Sequence, residues 1–315
     1  MHPFMVDAGG YPLRVALDHA LDPTRLGAIR LVVLARSALK EVLARVAVEG
    51  LRLDALLAAP ETRPGFTAAN AAWVAREVTA GITPRPVELS APGHAGALDA
   101  VREAVRRIDE DRADLCAVIG VESYFSTDTV TWLLGERRLA AEGVRDGFVP
   151  GEAAGAVLLA SPSLACRLGV KTLAHIRGAA STHEPVTIAS GNEILGRGLT
   201  AAIDGAIAAL KLPDQAVNDV YADLNGERYR TDEWGMVALR RSDAFRTGKL
   251  ELAAHSWGDV GAAAGALGCV LAVRAWARDY AHGPRALVWG SSDGGLRSAV
   301  LLEEGEGARE IRRSP

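Results

Sequence analysis

Three side chains of types that move protons or acyl groups stand at turn-like positions in the 315-residue chain. They are His94 in SAPGHAG, Asn225 in LNG and Asp259 in WGDVG. With Ser90 in the same turn as His94, and Asp259 as the orienting carboxylate, every residue type of a Ser-His-Asp set is present. Ser90 closes a strand-like run, however, and no G-x-S-x-G elbow surrounds it. Each residue also has a plainer role. His94 can cap the helix that opens at Gly96, and Asn225-Gly226 is an ordinary turn dipeptide. Asp259 can accept the free N–H groups of a helix beginning at Val260.

Other constellations carry less. His175, His183, His255 and His282 share no spacing that would hold a metal, so no metal is expected. Glu193 and Glu227 read as isolated carboxylates, and Arg145, Asp146, Arg240, Arg241 and Asp243 as solvated charges. No phosphate-cradling glycine loop occurs, so no cofactor is expected. Cys116, Cys166 and Cys269 lie far apart, a poor framework for disulfides or metal, which suits a reduced, cytoplasmic protein. Trp132, Trp234 and Trp257 sit at helix and loop ends, where a large aromatic is either an interface anchor or core. Apolar residues make up 49 % of the chain, enough for a sizeable core. Lys plus Arg is 35 against 39 Asp plus Glu, a net charge of −4 that gives neither nucleic acid nor an anionic membrane a footing. The opening residues lack the basic and apolar runs of a leader. The weakly polar run 261–273 is too short to span a bilayer.

Strands and helices must position these groups, and the pattern alternates between them. Strand-like runs are 54–58, 87–90, 115–121, 153–159, 173–178, 219–224, 286–289 and 298–302. Helical runs are 68–80, 96–108, 127–139, 199–210 and 260–277, while 30–34 fits either type. The continuous apolar strand LCAVIGV at 115–121 predicts burial on both faces. The same grammar occurs twice, which predicts α/β layers in two halves, 1–165 and 166–315. Their join falls in 162–171, and the polar tail 303–315 is expected to be flexible.

Three segments, in order and at sensible spacing, carry a family resemblance. DGFVPGEAAGAVLL at 146–159 resembles the strand-turn-strand signature of β-ketoacyl synthases, members of the thiolase-fold superfamily. GDVGAAAGALGCVL at 258–271 is similar to the segment that opens with one of that family's catalytic histidines. WGSSDGGLRSAVLL at 289–302 resembles its glycine-rich loop before the last core strand. VYADLNG at 220–226 falls where the family carries its other histidine, and DLCAVIGV at 114–121 resembles the strand after the nucleophile helix. The resemblance implies thiolase-like αβαβα layers built from two pseudo-equivalent halves, and a homodimer. It also implies acyl chemistry on carrier-bound or coenzyme A thioesters, through a Cys at a strand-to-helix turn and two His groups.

At those three positions this chain has His94, Asn225 and Asp259 instead, so no catalytic residue of the family is expected intact. A carboxylate at 259 would oppose the negative charge of a developing enolate. Glu152 in the signature reads as structural, and Trp257 as a plug in the former acyl pocket. The chain is also shorter than a typical ketosynthase, with material missing from the first half and from the cap over the tunnel. These departures imply a pseudoenzyme, a scaffold that binds protein partners. DGFVPGEAAG, YADLNGERYRTDEWG and SWGDVGAAAG resemble compact chains encoded beside type VI secretion effector genes, implying an adaptor or co-chaperone for effector loading. The alternatives are an acyltransferase or 3-oxoacyl-carrier-protein synthase with an unusual site around His94, Asn225 and Asp259, or a silent subunit paired with an active ketosynthase.

Overall fold

The computed structural model describes residues 5–7, 9–83, 85–246 and 250–313. Residues 1–4, part of the stretch that lacks leader features, lie outside the described residues.

The first half runs α1 (Ala28–Leu43), β1 (Leu53–Ala58), α2 (Ala68–Thr79), β2 (Glu88–Leu89), α3 (Gly96–Asp109), β3 (Leu115–Ser123), α4 (Thr127–Gly135) and β4 (Glu152–Ala160). A short helix α5 (Pro162–Arg167) follows. The chain continues through β5 (Ala174–His183), α6 (Arg197–Ile207), β6 (Asp219–Ala222), α7 (Arg228–Arg240), β7 (Leu250–Leu252) and α8 (Ala254–Trp257). It ends with α9 (Ala264–Ala277), β8 (Arg285–Ser291), β9 (Leu296–Glu304) and α10 (Glu306–Arg313).

Two sheets result, ordered β2-β1-β3-β4 and β5-β9-β8-β6-β7. Their pairing repeats. The pairs β1·β2 and β1·β3 are parallel and β3·β4 antiparallel; β6·β7 and β6·β8 are parallel and β8·β9 antiparallel. Side chains alternate across each strand, and the core sorts accordingly. Leu115, Ala117 and Ile119 of β3 join Leu31, Ala35, Val74 and Val78 of α1 and α2 on one outer face. Cys116 and Val118 face inward with Leu98, Val101, Ala272 and Trp276 of α3 and α9, against Val288 and Val300 of the second sheet. Leu287, Leu301 and Val220 face Leu199, Ile203 and Val237 of α6 and α7. Five layers therefore stack as α, β, α, β, α, the thiolase-like arrangement expected from the resemblance.

The departures from expectation have local causes. Residues 30–34 belong to the helix α1, whose Arg30 is buried beside Glu152. The helix expected over 127–139 stops at Gly135, and Arg137 takes a left-handed φ of 55° before 139 bridges to Phe148. The long helix 260–277 begins with a 3-10 turn at Gly261–Ala263 and becomes α-helical at Ala264. Helix α7 went unpredicted because the residues it buries include Arg230 and Glu233, so its inward face carries no apolar period. Within the expected tail, β9 runs to Glu304, and α10 follows with Ala308 fully buried. Ser314 and Pro315 lie outside the described residues. Among the described residues no helix is long and apolar enough to cross a membrane.

Candidate functional site

The carboxyl ends of the parallel strands of both sheets converge, the usual place for a site in an α/β fold. Four turns meet there. After β2 the chain reverses through Gly93, at φ +82°, so that His94 points inward just before α3. This turn leaves no room for side chains: a Cβ on Gly96 would lie 2.0 Å from the Ala91 carbonyl oxygen. After β6, Asn225-Gly226 turns into α7. At Ser291 β8 ends and Ser292 and Asp293 follow, and Ala95 N–H donates to Ser292 Oγ at 3.1 Å. The fourth turn, after α8, carries Asp259 and is gripped by the 146–155 signature. Asp259 N–H donates to the Val149 carbonyl at 2.7 Å, and Gly151 N–H to the Asp259 carbonyl at 2.8 Å.

The three candidate positions meet. His94 Nε2 lies 3.0 Å from Asp259 Oδ1, across 165 residues of chain. Asn225 Nδ2 donates to Asp259 Oδ2. Tyr124 Oη donates to Asp259 Oδ1 at 3.0 Å, and Gly261 N–H to the same oxygen at 2.7 Å. Asp259 thus caps the 3-10 turn and also anchors the imidazole. His94 and Asp259 are both buried. Burial opposes ionisation of Asp259, but the charge and hydrogen bond of His94, helped by Arg230 and Asn225, hold its carboxyl well below the usual range. Burial and Arg230 press the His94 pKa down, and Asp259 outweighs them, leaving it above its ordinary 6.5.

Behind this dyad lies Arg230, with no exposed surface. Its guanidinium donates to Asp223 at 3.0 Å, the Ser291 carbonyl at 2.6 Å and Asp293 at 3.0 Å. Its Nη2 also lies 3.4 Å from His94 Nδ1, where it can donate only to a neutral imidazole. Asp293 further accepts from Arg138 at 2.6 Å and Tyr229 at 2.7 Å. Burial opposes it, yet Arg230 and Arg138 hold its carboxyl low. Glu61 accepts the Asp293 and Gly294 N–H groups at 3.0 and 2.7 Å, and burial beside Asp293 pushes its carboxyl up. Both imidazole nitrogens face protein groups, Nε2 the Asp259 carboxylate and Nδ1 the Arg230 guanidinium.

The other candidates go elsewhere. Ser90 spends its N–H on the Leu57 carbonyl, and among the described residues no hydrogen bond joins it to His94. Glu227 is not isolated, since it pairs with Arg138 at 2.6 Å and accepts from Asn225 at 3.0 Å. Arg240 and Arg241 tie α7 to α6 through the Leu195 carbonyl and Asp204 rather than standing free. Glu152 is held by Arg30 at 2.6 Å. Trp234 stacks on Trp289 at 5.2 Å and Trp132 packs beside Leu133 and Phe148, each half-buried against a core cluster. Trp257 packs on the Val260 cluster. His175 and His282 pair with Glu306 and Asp219, well apart in the fold, and no group of metal-ligating residues forms among the described residues. Cys116 lies within β3 and Cys269 within α9, and burial pushes both thiols up to about 12, opposite to an activated nucleophile. Cys166 is exposed on α5. The residues missed from sequence are Tyr124, Arg230 and Asp293. The one available signal was the i, i+3, i+6 spacing of Glu227, Arg230 and Glu233 on a single helical face.

No family model matches the chain, and no curated relative does either. Solved structures do. An oxazolomycin ketosynthase domain of Streptomyces albus is 17 % identical, with a TM-score of 0.65 over 90 % of this chain. The ishigamide ketosynthase/chain length factor is 18 % identical, TM-score 0.66, covering 95 % of this chain and 90 % of that one. A β-ketoacyl synthase from Burkholderia phymatum is 15 % identical, TM-score 0.68, covering 87 % and 82 %. The fold is therefore the thiolase-like fold of ketosynthases. The chain spans only 59 % of the oxazolomycin domain's length.

Proposed function

We propose that the chain is a non-catalytic ketosynthase-like scaffold that acts as a homodimer and binds protein partners. The observation that carries this reading is the closed circuit of His94, Asp259, Asn225 and Arg230. At the positions matched to the family's nucleophile and two histidines, the side chains satisfy one another. No thiol stands in the turn at 90–96, and the two buried cysteines are held in their neutral form. An ionised Asp259 would repel the enolate that decarboxylation forms. On this reading the fold is kept for its surface, and the resemblance to chains encoded beside type VI secretion effector genes makes it an adaptor or co-chaperone for effector loading.

The test is incubation of the chain with malonyl-loaded carrier protein, followed by carbon dioxide release and intact mass. Neither gas nor an acyl adduct is expected; turnover abolished by His94→Ala would falsify the reading in favour of an acyltransferase with an unusual site. Capture of an effector or chaperone encoded beside the gene supports the adaptor role. Co-purification with an intact ketosynthase instead supports a silent subunit, a reading favoured by the similarity to the ishigamide ketosynthase/chain length factor.

A further inference from the structure

Asparagine is a chemically labile side chain. Its carboxamide carbon can close on the nitrogen of the next residue, and a following glycine has no Cβ to obstruct the succinimide ring. In this chain Asn225 alone precedes a glycine; the other asparagines precede Ala71, Glu193 and Asp219. That one labile pair lies inside the His94–Asp259–Asn225 circuit.

The two residues of the pair are held very differently. Gly226 is exposed, with a φ of +110°, and among the described residues its N–H donates to no acceptor. A Cβ there would meet only the Gly147 carbonyl oxygen, at 3.5 Å, so the turn stands open around it. Asn225 is half-buried, and its carboxamide, with one acceptor oxygen and two N–H donors, is fully engaged. Oδ1 accepts the Glu227 N–H at 3.0 Å, while Nδ2 donates to Glu227 Oε2 at 3.0 Å and to Asp259 Oδ2. Both carboxylates are themselves fixed. Glu227 is tied to Arg138 at 2.6 Å, and Asp259 to His94 and Tyr124, each at 3.0 Å.

We infer that Asn225-Gly226 is a latent deamidation site, held shut by Glu227 and Asp259 and released when the circuit opens. Ring closure needs Cγ at near-attack distance from the Gly226 nitrogen, and turning it there draws Nδ2 off its two carboxylates. Hydroxide then removes the Gly226 amide proton, and the nitrogen pair bonds to Cγ. The Cγ–Nδ2 bond breaks, and ammonia leaves with a proton taken from water. A second water opens the imide at either carbonyl, leaving aspartate or isoaspartate at 225. Nothing is oxidised or reduced. The new carboxylate faces Glu227 and Asp259, where a donor stood between two acceptors, and like charges keep the circuit from reclosing. A transient opening thereby becomes permanent. This inference rests on the self-satisfied circuit that carries the proposed function, and it gives that site a covalent record of having opened.

Peptide mapping by mass spectrometry tests it, on the full chain kept in mildly alkaline buffer either folded or unfolded in guanidinium chloride. Conversion at 225 is read as O replacing NH. In the folded wild-type chain it should run about 100-fold or more below the unfolded rate, because the reaction waits on local opening. Glu227→Ala should raise the folded rate about 10-fold or more with near-UV circular dichroism retained. Glu227→Gln, which keeps the shape and withdraws one acceptor oxygen, serves if the alanine variant does not fold. Asn225→Asp, the product itself, should have a lower urea midpoint than Asn225→Ala. A folded rate equal to the unfolded one, a folded Glu227 variant reacting at the wild-type rate, or Asn225→Asp no less stable than Asn225→Ala each overturns the inference. No acyl donor is present, so those results leave the non-catalytic reading standing. Carbon dioxide release from malonyl-loaded carrier overturns that reading and leaves these rates unchanged.

Discussion

Arg230 shows how one residue organises the site. Its guanidinium joins the ends of β6 and β8, the start of α7 and the His94 turn, with carboxylates at Asp223 and Asp293. Removing a buried cation strands its anions, so Arg230→Met should cost about 3–5 kcal/mol in urea denaturation. Arg230→Lys should recover little, because an ammonium cannot span the same fork of acceptors. The pH dependence follows from the shifts around it. Asp259 and Asp293 have folded pKa values below their ordinary 3.8, so their contribution is full above that value and is lost as pH falls through the lowered ones. His94 has a raised folded value; its contribution is full below 6.5 and is lost as pH rises through that value. Stability should therefore peak at about pH 5 to 6.5, and His94→Gln should flatten the alkaline limb of urea midpoints plotted against pH and also weaken the acid limb, because His94 is the main partner that holds Asp259 low.

Glycines decide how closely the elements approach, and two of them give opposite expectations. A Cβ on Gly120 of β3 would lie 2.4 Å from the Ala262 carbonyl oxygen and 3.0 Å from Ala263 Cα, backbone atoms that cannot swing aside. Gly120→Ala should destabilise by about 3 kcal/mol and disturb the turn that carries Asp259. At the end of α4, Gly135 has nothing within 4 Å of its Cβ position, and Gly135→Ala should be neutral or gain up to about 1 kcal/mol. Thermal unfolding of the pair separates a packing demand from a conformational one. At this scale most elements were legible. Continuous apolar runs revealed β1, β3 and β4, and the three-and-four spacing of Leu98, Val101 and Ala104 revealed α3. Helix α7 was not legible, because charged pairs take the place of its apolar stripe.

The whole molecule has one interior, although its plan is double. Leu56, Leu98 and Val118 share a cluster with Tyr221, Cys269, Trp276 and Val300, so α3 and α9 together fill the space between the sheets. Equilibrium unfolding should accordingly be a single transition seen alike by far- and near-UV circular dichroism. Residues 1–165 alone should give no near-UV signal, since they lack the second sheet on which α3 packs.

Sequence alone determined the layered architecture and singled out His94, Asn225 and Asp259. Strand period, turn glycines and the 146–155 signature are local properties, readable over a few residues. Tertiary structure alone decided what these residues touch. His94 and Asp259 are 165 positions apart, and only folding makes them a buried pair. Charges such as Arg230 and Asp293 look solvated along the chain and become interior only when four strand ends enclose them. Whether a charge is in water or against its partner depends on the fold around it, and that is a long-range property no local spacing encodes.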